Sequence, residues 1–506
     1  MIDATPLLRA YAHRRRAQLA AENVVERQEA QLLQLVRRAT ETPFGRAHDF
    51  ARIRTVADFQ ARVPPRSYEA FWRDWWQPHF PRLANVTWPG AVPFLAVSSG
   101  TTSGASKYIP VSNAMLRANR RAALDVLVHH VSRRPESRVL GGRTFMLGGS
   151  TDLKEEAPGI FSGDLSGIAA KRTPAWARPL TFPPPAIALM RDWDAKIAAC
   201  IDRAATADIR CITGTPSWLL ILFDRHATAH GLPSAASALY PNLELVVHGG
   251  INFMPYRDRF EAFLAGSHAE LREVYPASEG FIAIADEGPA DGLRLIVDNG
   301  LFFEFVPVEE LDAPTPRRFW IDNIESDVNY AILLTSCAGL WAYILGDTVR
   351  FLSRRPPRLA VTGRTSYMMS AFGEHLIGEE IEDAVATAAH AITADVSDFA
   401  MGAIFPERTG DLGHHLIFVE FATPTDAARV TAFAEVFDAR LAELNDDYRA
   451  HRAEGFGMGP PRVHVVAPGF FADWMEARGR LGGQNKVPRV INDPQLFAEL
   501  RAFAER

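Results

Sequence analysis

Apolar residues change their spacing several times along this chain, and each change marks a different kind of element. From about Pro6 to Thr40 they recur at helical intervals. Leu19, Val25, Leu32, Leu33, Leu35 and Val36 fall on one side, with Arg14, Arg15, Arg16, Glu26, Arg27 and Glu29 on the other. One long amphipathic helix is predicted, its basic triplet on a solvated face because acidic residues follow closely. Phe59 to Trp88 is dense in aromatics and prolines, and Trp72, Trp75, Trp76 and Trp88 read as packing rather than as a ligand box. Ala91 to Val97 is an apolar run of the kind a buried strand supplies. Tyr108 to Val111 is a second short strand, and Ser112 is placed to cap a helix that begins near Asn113.

Between residues 180 and 280 the pattern alternates. Helices are expected over Trp193–Ala207, Pro216–Gly231 and Arg257–Leu264, and strands over Ile209–Thr213, Leu243–Val247 and Leu271–Tyr275. Such alternation predicts a largely parallel sheet flanked by helices, with ligands at the loops after the carboxyl ends of its strands. Those loops are Gly214-Thr215-Pro216, His248-Gly249-Gly250 and Pro276 to Gly280. Leu293–Val297, Leu301–Val306, Asn329–Thr335, Leu340–Ile344 and Thr348–Phe351 read as antiparallel strands, interrupted by Arg354-Arg355-Pro356-Pro357-Arg358. After Gly363-Arg364 a compact α+β pattern starts, with helices over Ile377–His390 and Thr425–Asp446 and strands over Leu416–Phe421 and Arg462–Val466. The expected fold class is α/β. A boundary near residues 358–366 divides a large N-terminal domain, 1–362, from a small C-terminal domain, 363–506.

Composition narrows the function classes. The 506 residues are 47% hydrophobic and 23% charged, ordinary for a globular protein. The net charge of −6 argues against a general nucleic-acid binder. Cys200, Cys211 and Cys337 have no metal-binding spacing and sit among apolar neighbours, so buried free thiols in a reducing compartment are expected. No apolar signal core or membrane-length run appears, which predicts a soluble, cytoplasmic protein. The histidines show no ligand spacing, and the pairs His129-His130 and His414-His415 read as surface residues.

The densest chemistry lies in Ser98-Ser99-Gly100-Thr101-Thr102-Ser103-Gly104-Ala105-Ser106-Lys107. Glycines let backbone N–H groups approach an anion, while hydroxyls and a lysine add donors and charge. The glycine spacing is not that of a Walker loop, and Lys107 does not follow a glycine. Read alone, the stretch is equally a solvated turn. Four other segments fit a phosphate loop. In Tyr275-Pro276-Ala277-Ser278-Glu279-Gly280 an aromatic can stack on a base, a hydroxyl can reach phosphate, and a carboxylate can hold Mg²⁺. In Tyr343 to Arg350, Asp347 in a tight turn can accept both ribose hydroxyls. Gly363-Arg364 can be a hinge, and Gly482 to Arg489 presents Lys486 on a glycine-rich loop. Taken singly these are a capped strand end, a hairpin turn, a charged linker and an exposed tail. In this order they make a nucleotide site.

The order resembles the adenylate-forming superfamily of acyl-CoA synthetases, luciferases and peptide-synthetase adenylation domains. It is more closely similar to the auxin-responsive acyl acid amido synthetases of plants, the Gretchen Hagen three family, and their bacterial relatives. Thr42 to Arg46, Phe59 to Pro64 and Tyr68-Glu69 resemble that family's N-terminal region. Ser98 to Val111, Tyr275 to Gly280 and Tyr343 to Asp347 resemble its three nucleotide motifs, and Lys486 to Arg489 its C-terminal lysine loop. Pro276-Ala277 and Ile344-Leu345 depart from the usual small or hydroxylic and basic residues, which puts one phosphate contact and one charge contact in question.

The resemblance implies mixed, mostly parallel sheets with a barrel-like subdomain, and a mobile C-terminal lid. It implies ATP and Mg²⁺, an acyl-adenylate formed from a carboxylic acid with release of pyrophosphate, and amide formation with an amino acid. Lys486, Glu279 and Thr101 would be catalytic, with Glu279 holding the metal. Ser98, Ser99, Gly100, Thr101, Thr102, Lys107, Tyr275, Ser278, Asp347 and Arg364 would bind the nucleotide. The acyl pocket would use Arg117, Arg120, Thr215, Trp218, His248, Gly249 and Phe253, with Met254 beside them. A solvated helix face accounts equally well for the two arginines, and core packing for the apolar residues. No nucleic acid or membrane partner is implied. Two rivals are an acyl-CoA ligase, which passes the acyl group to a thiol, and a non-catalytic protein that keeps the fold.

Overall fold

The computed structural model describes all residues except 1–2, 99–106, 149–152, 176, 189, 191–192, 251–252, 254–255, 289–290, 312, 327, 366–367, 370, 375, 407–410, 453–457, 479–486 and 506. They form two compact units, Met1–Ser98 with Lys107–Thr365, and Ser366–Arg506.

The first unit opens with two helices rather than one, Thr5–Ala21 and Val24–Ala39. The break is set by Asn23, whose side chain accepts from the N–H groups of Val25 and Glu26 and so starts a new helix. Arg15 also departs from expectation: it is buried and bidentate to Asp125 at 2.9 and 2.7 Å, and it bonds Asp298 at 2.8 Å. The tryptophans pack as expected, with Trp76 buried and its indole N–H on Thr87 Oγ1.

Fifteen strands follow: β1 (Phe94–Ser98), β2 (Lys107–Val111), β3 (Arg143–Met146), β4 (Lys154–Ala157), β5 (Ile160–Gly163), β6 (Thr181–Phe182), β7 (Ile209–Gly214), β8 (Leu245–Gly249), β9 (Glu270–Ala277), β10 (Gly280–Ile284), β11 (Leu293–Leu295), β12 (Leu301–Pro307), β13 (Asn329–Ser336), β14 (Tyr343–Arg354) and β15 (Pro357–Arg364). An 11-stranded sheet runs β12-β13-β14-β15-β11-β10-β9-β8-β7-β3-β6. From β6 to β9 its neighbours are parallel, and from β9 to β12 they are antiparallel. The alternating and antiparallel regions of the sequence are thus two halves of one sheet. A second sheet has the order β2-β1-β5-β4.

Two local corrections bear on function. Leu340–Ile344 and Thr348–Phe351 are not two strands joined by a Gly-Asp turn. Tyr343 to Arg354 is one strand, and Gly346, at φ 95°, lies in a bulge where the register to β13 shifts. The Arg-Arg-Pro-Pro-Arg interruption is the turn from β14 into β15, so Gly363-Arg364 closes a strand rather than forming a linker.

The second unit pairs β16 (Met368–Met369) with β17 (Leu376–Ile377) and builds a sheet from β18 (Val396–Ile404), β19 (His414–Phe421), β20 (Arg462–Val466) and β21 (Val490–Ile491) in the order β20-β19-β18-β21. Helices Gly378–Ala391 and Ala427–Leu444 pack on it through Ile381, Val385, Phe433, Phe437 and Leu441. The β18 strand went unread because Ser397 and Asp398 interrupt its apolar pattern. Among the described residues no helix is long and apolar enough to cross a membrane.

Candidate functional site

The site is built where the bulged strand, the β9–β10 hairpin and the β1–β2 hairpin carry their motif residues. Strands β1 and β2 pair antiparallel from Phe94↔Val111 to Ser98↔Lys107, so Ser98 and Lys107 form the last rung beside residues 99–106. Ser99, Gly100, Thr101 and Thr102 themselves lie outside the described residues. The Lys107 ammonium stands 5.5 Å from the centre of the Tyr68 ring, and Tyr68 is fixed in turn by accepting the Tyr108 N–H at 2.9 Å.

Ser278 and Glu279 form the turn between β9 and β10. Glu279 is buried, and its Oε1 accepts from the Tyr343 hydroxyl at 3.1 Å. Burial pushes the Glu279 carboxyl above its ordinary range, while Lys107, its own backbone N–H and Tyr343 act in the opposite sense. Asp347 adds a like charge close enough to push it further up. Tyr275, on β9, donates its hydroxyl to Asp347 Oδ2 at 2.5 Å. The bulge at Gly346 sets Asp347 opposite Arg364 in the β14–β15 register. Lys107, Tyr275, Glu279 and Asp347 therefore meet in one cluster, while Lys486 lies outside the described residues.

The donor chemistry of Glu279 fits Mg²⁺, a hard cation that takes oxygen ligands. Among the described residues no group of three or more His, Cys, Asp or Glu gathers to hold a metal. A cation at Glu279 would complete its shell from water and substrate oxygens, the usual arrangement for Mg²⁺ on phosphates.

The expected acyl-pocket residues divide. Thr215 precedes the helix Pro216–His230, on which Trp218 is half-buried. Register Gly214↔His248 brings the ends of β7 and β8 level, so Thr215, His248 and Gly249 share the carboxyl edge of these parallel strands, while β9 runs on from Val274, opposite Gly249, to Ala277. At Gly249 a Cβ would come within 2.2 Å of the Val274 carbonyl oxygen, so only glycine fits that edge. His248 is buried and stacked on Phe253 with ring centres 3.8 Å apart, and burial pushes it down to about 3. Met254 lies outside the described residues. Arg117 is exposed, and exposed Arg120 donates to the Arg172 carbonyl at 2.5 Å, capping the helix Leu165–Lys171.

Sequence reasoning missed the role of Tyr343, whose partner Glu279 is 64 residues away. It also read His130 and His415 as surface residues. Both are buried: His130 bonds Glu270 at 2.6 Å and Ser137 at 2.8 Å, and His415 bonds Glu374 at 2.8 Å. The three cysteines are free and buried, as expected.

Among solved proteins, this α/β fold with a large and a small unit is shared with the GH3.15 acyl acid amido synthetase. That match has 19% identity and a TM-score of 0.57, and it covers 96% of this chain and 94% of that one. It is also shared with 2-hydroxyisobutyryl-CoA ligase in complex with 2-HIB-AMP and CoA, at 17% identity and a TM-score of 0.59 over the same shares. The chain belongs to the GH3 family: residues 14–205 match the GH3 N-terminal domain, 294–364 the central domain and 379–495 the C-terminal domain. It is 25% identical over 280 residues to indole-3-acetic acid-amido synthetase GH3.8 of Oryza sativa subsp. indica, covering 51% of this chain and 45% of that protein. It is 26% identical over 277 residues to jasmonoyl–L-amino acid synthetase GH3.5 of Oryza sativa subsp. japonica, covering 50% and 47%. These matches span about half the length of the curated relatives.

Proposed function

We propose that this chain is an AMP-forming acid–amino acid ligase of the bacterial branch of its family. It joins a carboxylic acid to the α-phosphate of ATP, releases pyrophosphate, and passes the acyl group to the amine of an amino acid. The observation that carries the reading is the meeting of Lys107, Glu279 and Asp347, from three separated stretches, around two tyrosines. A lysine and an oxygen ligand for Mg²⁺ suit the phosphates, and a second carboxylate suits the ribose.

A carboxylate is a poor acylating agent because oxide is a poor leaving group, and attachment to AMP corrects this. The protein's task is then positioning and charge stabilisation, with no nucleophilic side chain required. Ser98 and Gly100 shape the phosphate loop, while Ser99, Thr101, Thr102 and Lys107 meet phosphate. Ser278 meets the α-phosphate, Asp347 grips the ribose, and the Tyr275 ring lies against adenine. Arg364 marks the hinge of a lid domain, 363–506, and Lys486 is the lysine that serves adenylation. Mg²⁺ bound at Glu279 would neutralise phosphate charge. An acid would lie at the sheet edge by Thr215, His248 and Gly249, with Trp218 on the following helix and Phe253 stacked on His248; Arg117 and Arg120 are candidates for pairing with a substrate carboxylate. Three buried free thiols suit the cytoplasm.

The test is ATP–pyrophosphate exchange across a panel of carboxylic acids. Exchange that requires an acid, and that Lys486→Ala slows severely while ATP binding persists, is the expected result. No exchange with any acid would leave a non-catalytic protein of the same fold.

A further inference from the structure

The two nucleotide motifs exchange hydrogen bonds. Tyr275 stands four residues before Glu279 and Tyr343 four residues before Asp347, yet each tyrosine binds the other segment's carboxylate. In the sheet β9 and β14 are separated by β10, β11 and β15. In a flat sheet that would set them about 19 Å apart. Side-chain bonds of 2.5 and 3.1 Å between these segments mean that the sheet curls until its strand ends face each other. Tyr343 is held rigidly for this task. It is fully buried, it lies in a bridge to Arg66, Ile344 N–H donates to the Arg66 carbonyl at 2.9 Å, and its ring packs on Phe71.

We propose that Tyr275 and Tyr343 are positioning residues that form a crossed lock: the Tyr275 hydroxyl orients Asp347 for the nucleoside, and the Tyr343 hydroxyl orients Glu279 for the phosphate-bound divalent cation. This rests on the nucleotide site proposed above. Each phenol donates to one oxygen of its carboxylate. Tyr275 then has two separable parts, a ring that can lie against a base and a hydroxyl that donates to Asp347. The arrangement makes each motif's geometry depend on the other, so neither carboxylate is set until the curled sheet has closed.

Phenylalanine substitutions isolate the hydroxyls, since the rings and their packing stay. Equilibrium titrations of the full chain with AMP alone, and with ATP in the presence and absence of MgCl₂, separate the two roles. Tyr275→Phe is expected to weaken AMP roughly tenfold, the cost of one hydrogen bond to a charged group, and to leave the Mg²⁺ enhancement of ATP binding unchanged. Tyr343→Phe is expected to reduce that Mg²⁺ enhancement roughly tenfold and to leave AMP affinity within about twofold of wild type. In an Asp347→Ala background, Tyr275→Phe should have no further effect on AMP, because its partner is gone. Equal losses of AMP affinity in both variants, or no change in either titration, would overturn the lock while the nucleotide site stood. Failure of the wild-type chain to bind AMP or ATP would overturn both. If Tyr343→Phe does not fold, the Tyr275→Phe and Asp347→Ala cycle decides by itself: additive losses of AMP affinity contradict the lock, and absence of a further loss supports it.

Discussion

Arg15 shows how far a side chain's role can lie from its neighbourhood in sequence. It sits in a basic triplet with the look of a solvated helix face, yet it is buried between Asp125 and Asp298, 110 and 283 residues away. Removing one member of a buried charge group leaves its partners desolvated and unpaired. Arg15→Ala should therefore cost about 3–5 kcal/mol, read as a lower denaturant midpoint for the first unit. A shift no larger than that of an exposed neighbour such as Arg14→Ala would contradict the burial. The motif residues lie at the other extreme. The types at Lys107, Tyr275, Glu279 and Asp347 were legible because glycine, hydroxyl, carboxylate and lysine in that order suit a nucleotide. Their partners were not legible, because hydrogen bonds between Tyr275 and Asp347 or Tyr343 and Glu279 depend on sheet curl, which no local pattern records.

At the scale of elements, periodicity recovered the βα alternation from Ile209 to Leu264 and the antiparallel run that follows, because burial of one face sets a spacing. It failed where one residue decides. Asn23 splits a helix that its apolar stripe would continue, and Gly346 bends a strand that its Gly-Asp pair seemed to end. The bulge has a consequence of its own. Gly346 has φ 95°, where a Cβ is strained, and it immediately precedes Asp347. Gly346→Ala should cost about 1–2 kcal/mol of stability and should weaken AMP binding by moving Asp347. A variant with wild-type melting and wild-type AMP affinity would show that the bulge is not required.

Across the whole molecule the division into two units accords with the family's separate N-terminal, central and C-terminal domain matches. The second unit carries a buried acid-sensitive carboxyl of its own. Glu374 is fully buried, and burial alone would raise its pKa. Its bond to His415, the charge of that histidine, and backbone N–H donors including that of Phe372 outweigh burial and hold it down at about 2, against an ordinary 4.5. A depressed carboxyl stabilises the fold fully above its unfolded pKa and loses that contribution as pH falls through the folded value. Hydrogen exchange in the 371–374 segment should therefore rise as pH drops from about 4.5 towards 2, after correction for intrinsic rates. Glu374→Gln should remove that dependence; an unchanged profile in the variant would assign the acid sensitivity elsewhere.

The product of the proposed reaction is its most direct readout. Purified protein would be incubated with ATP, MgCl₂ and a panel of carboxylic acids, each with and without amino acids or CoA, and the products weighed by mass spectrometry. The expected products are an amide and AMP in equal amounts, dependent on both an acid and an amino acid. A CoA thioester with no amide from any amine would contradict the proposed reaction.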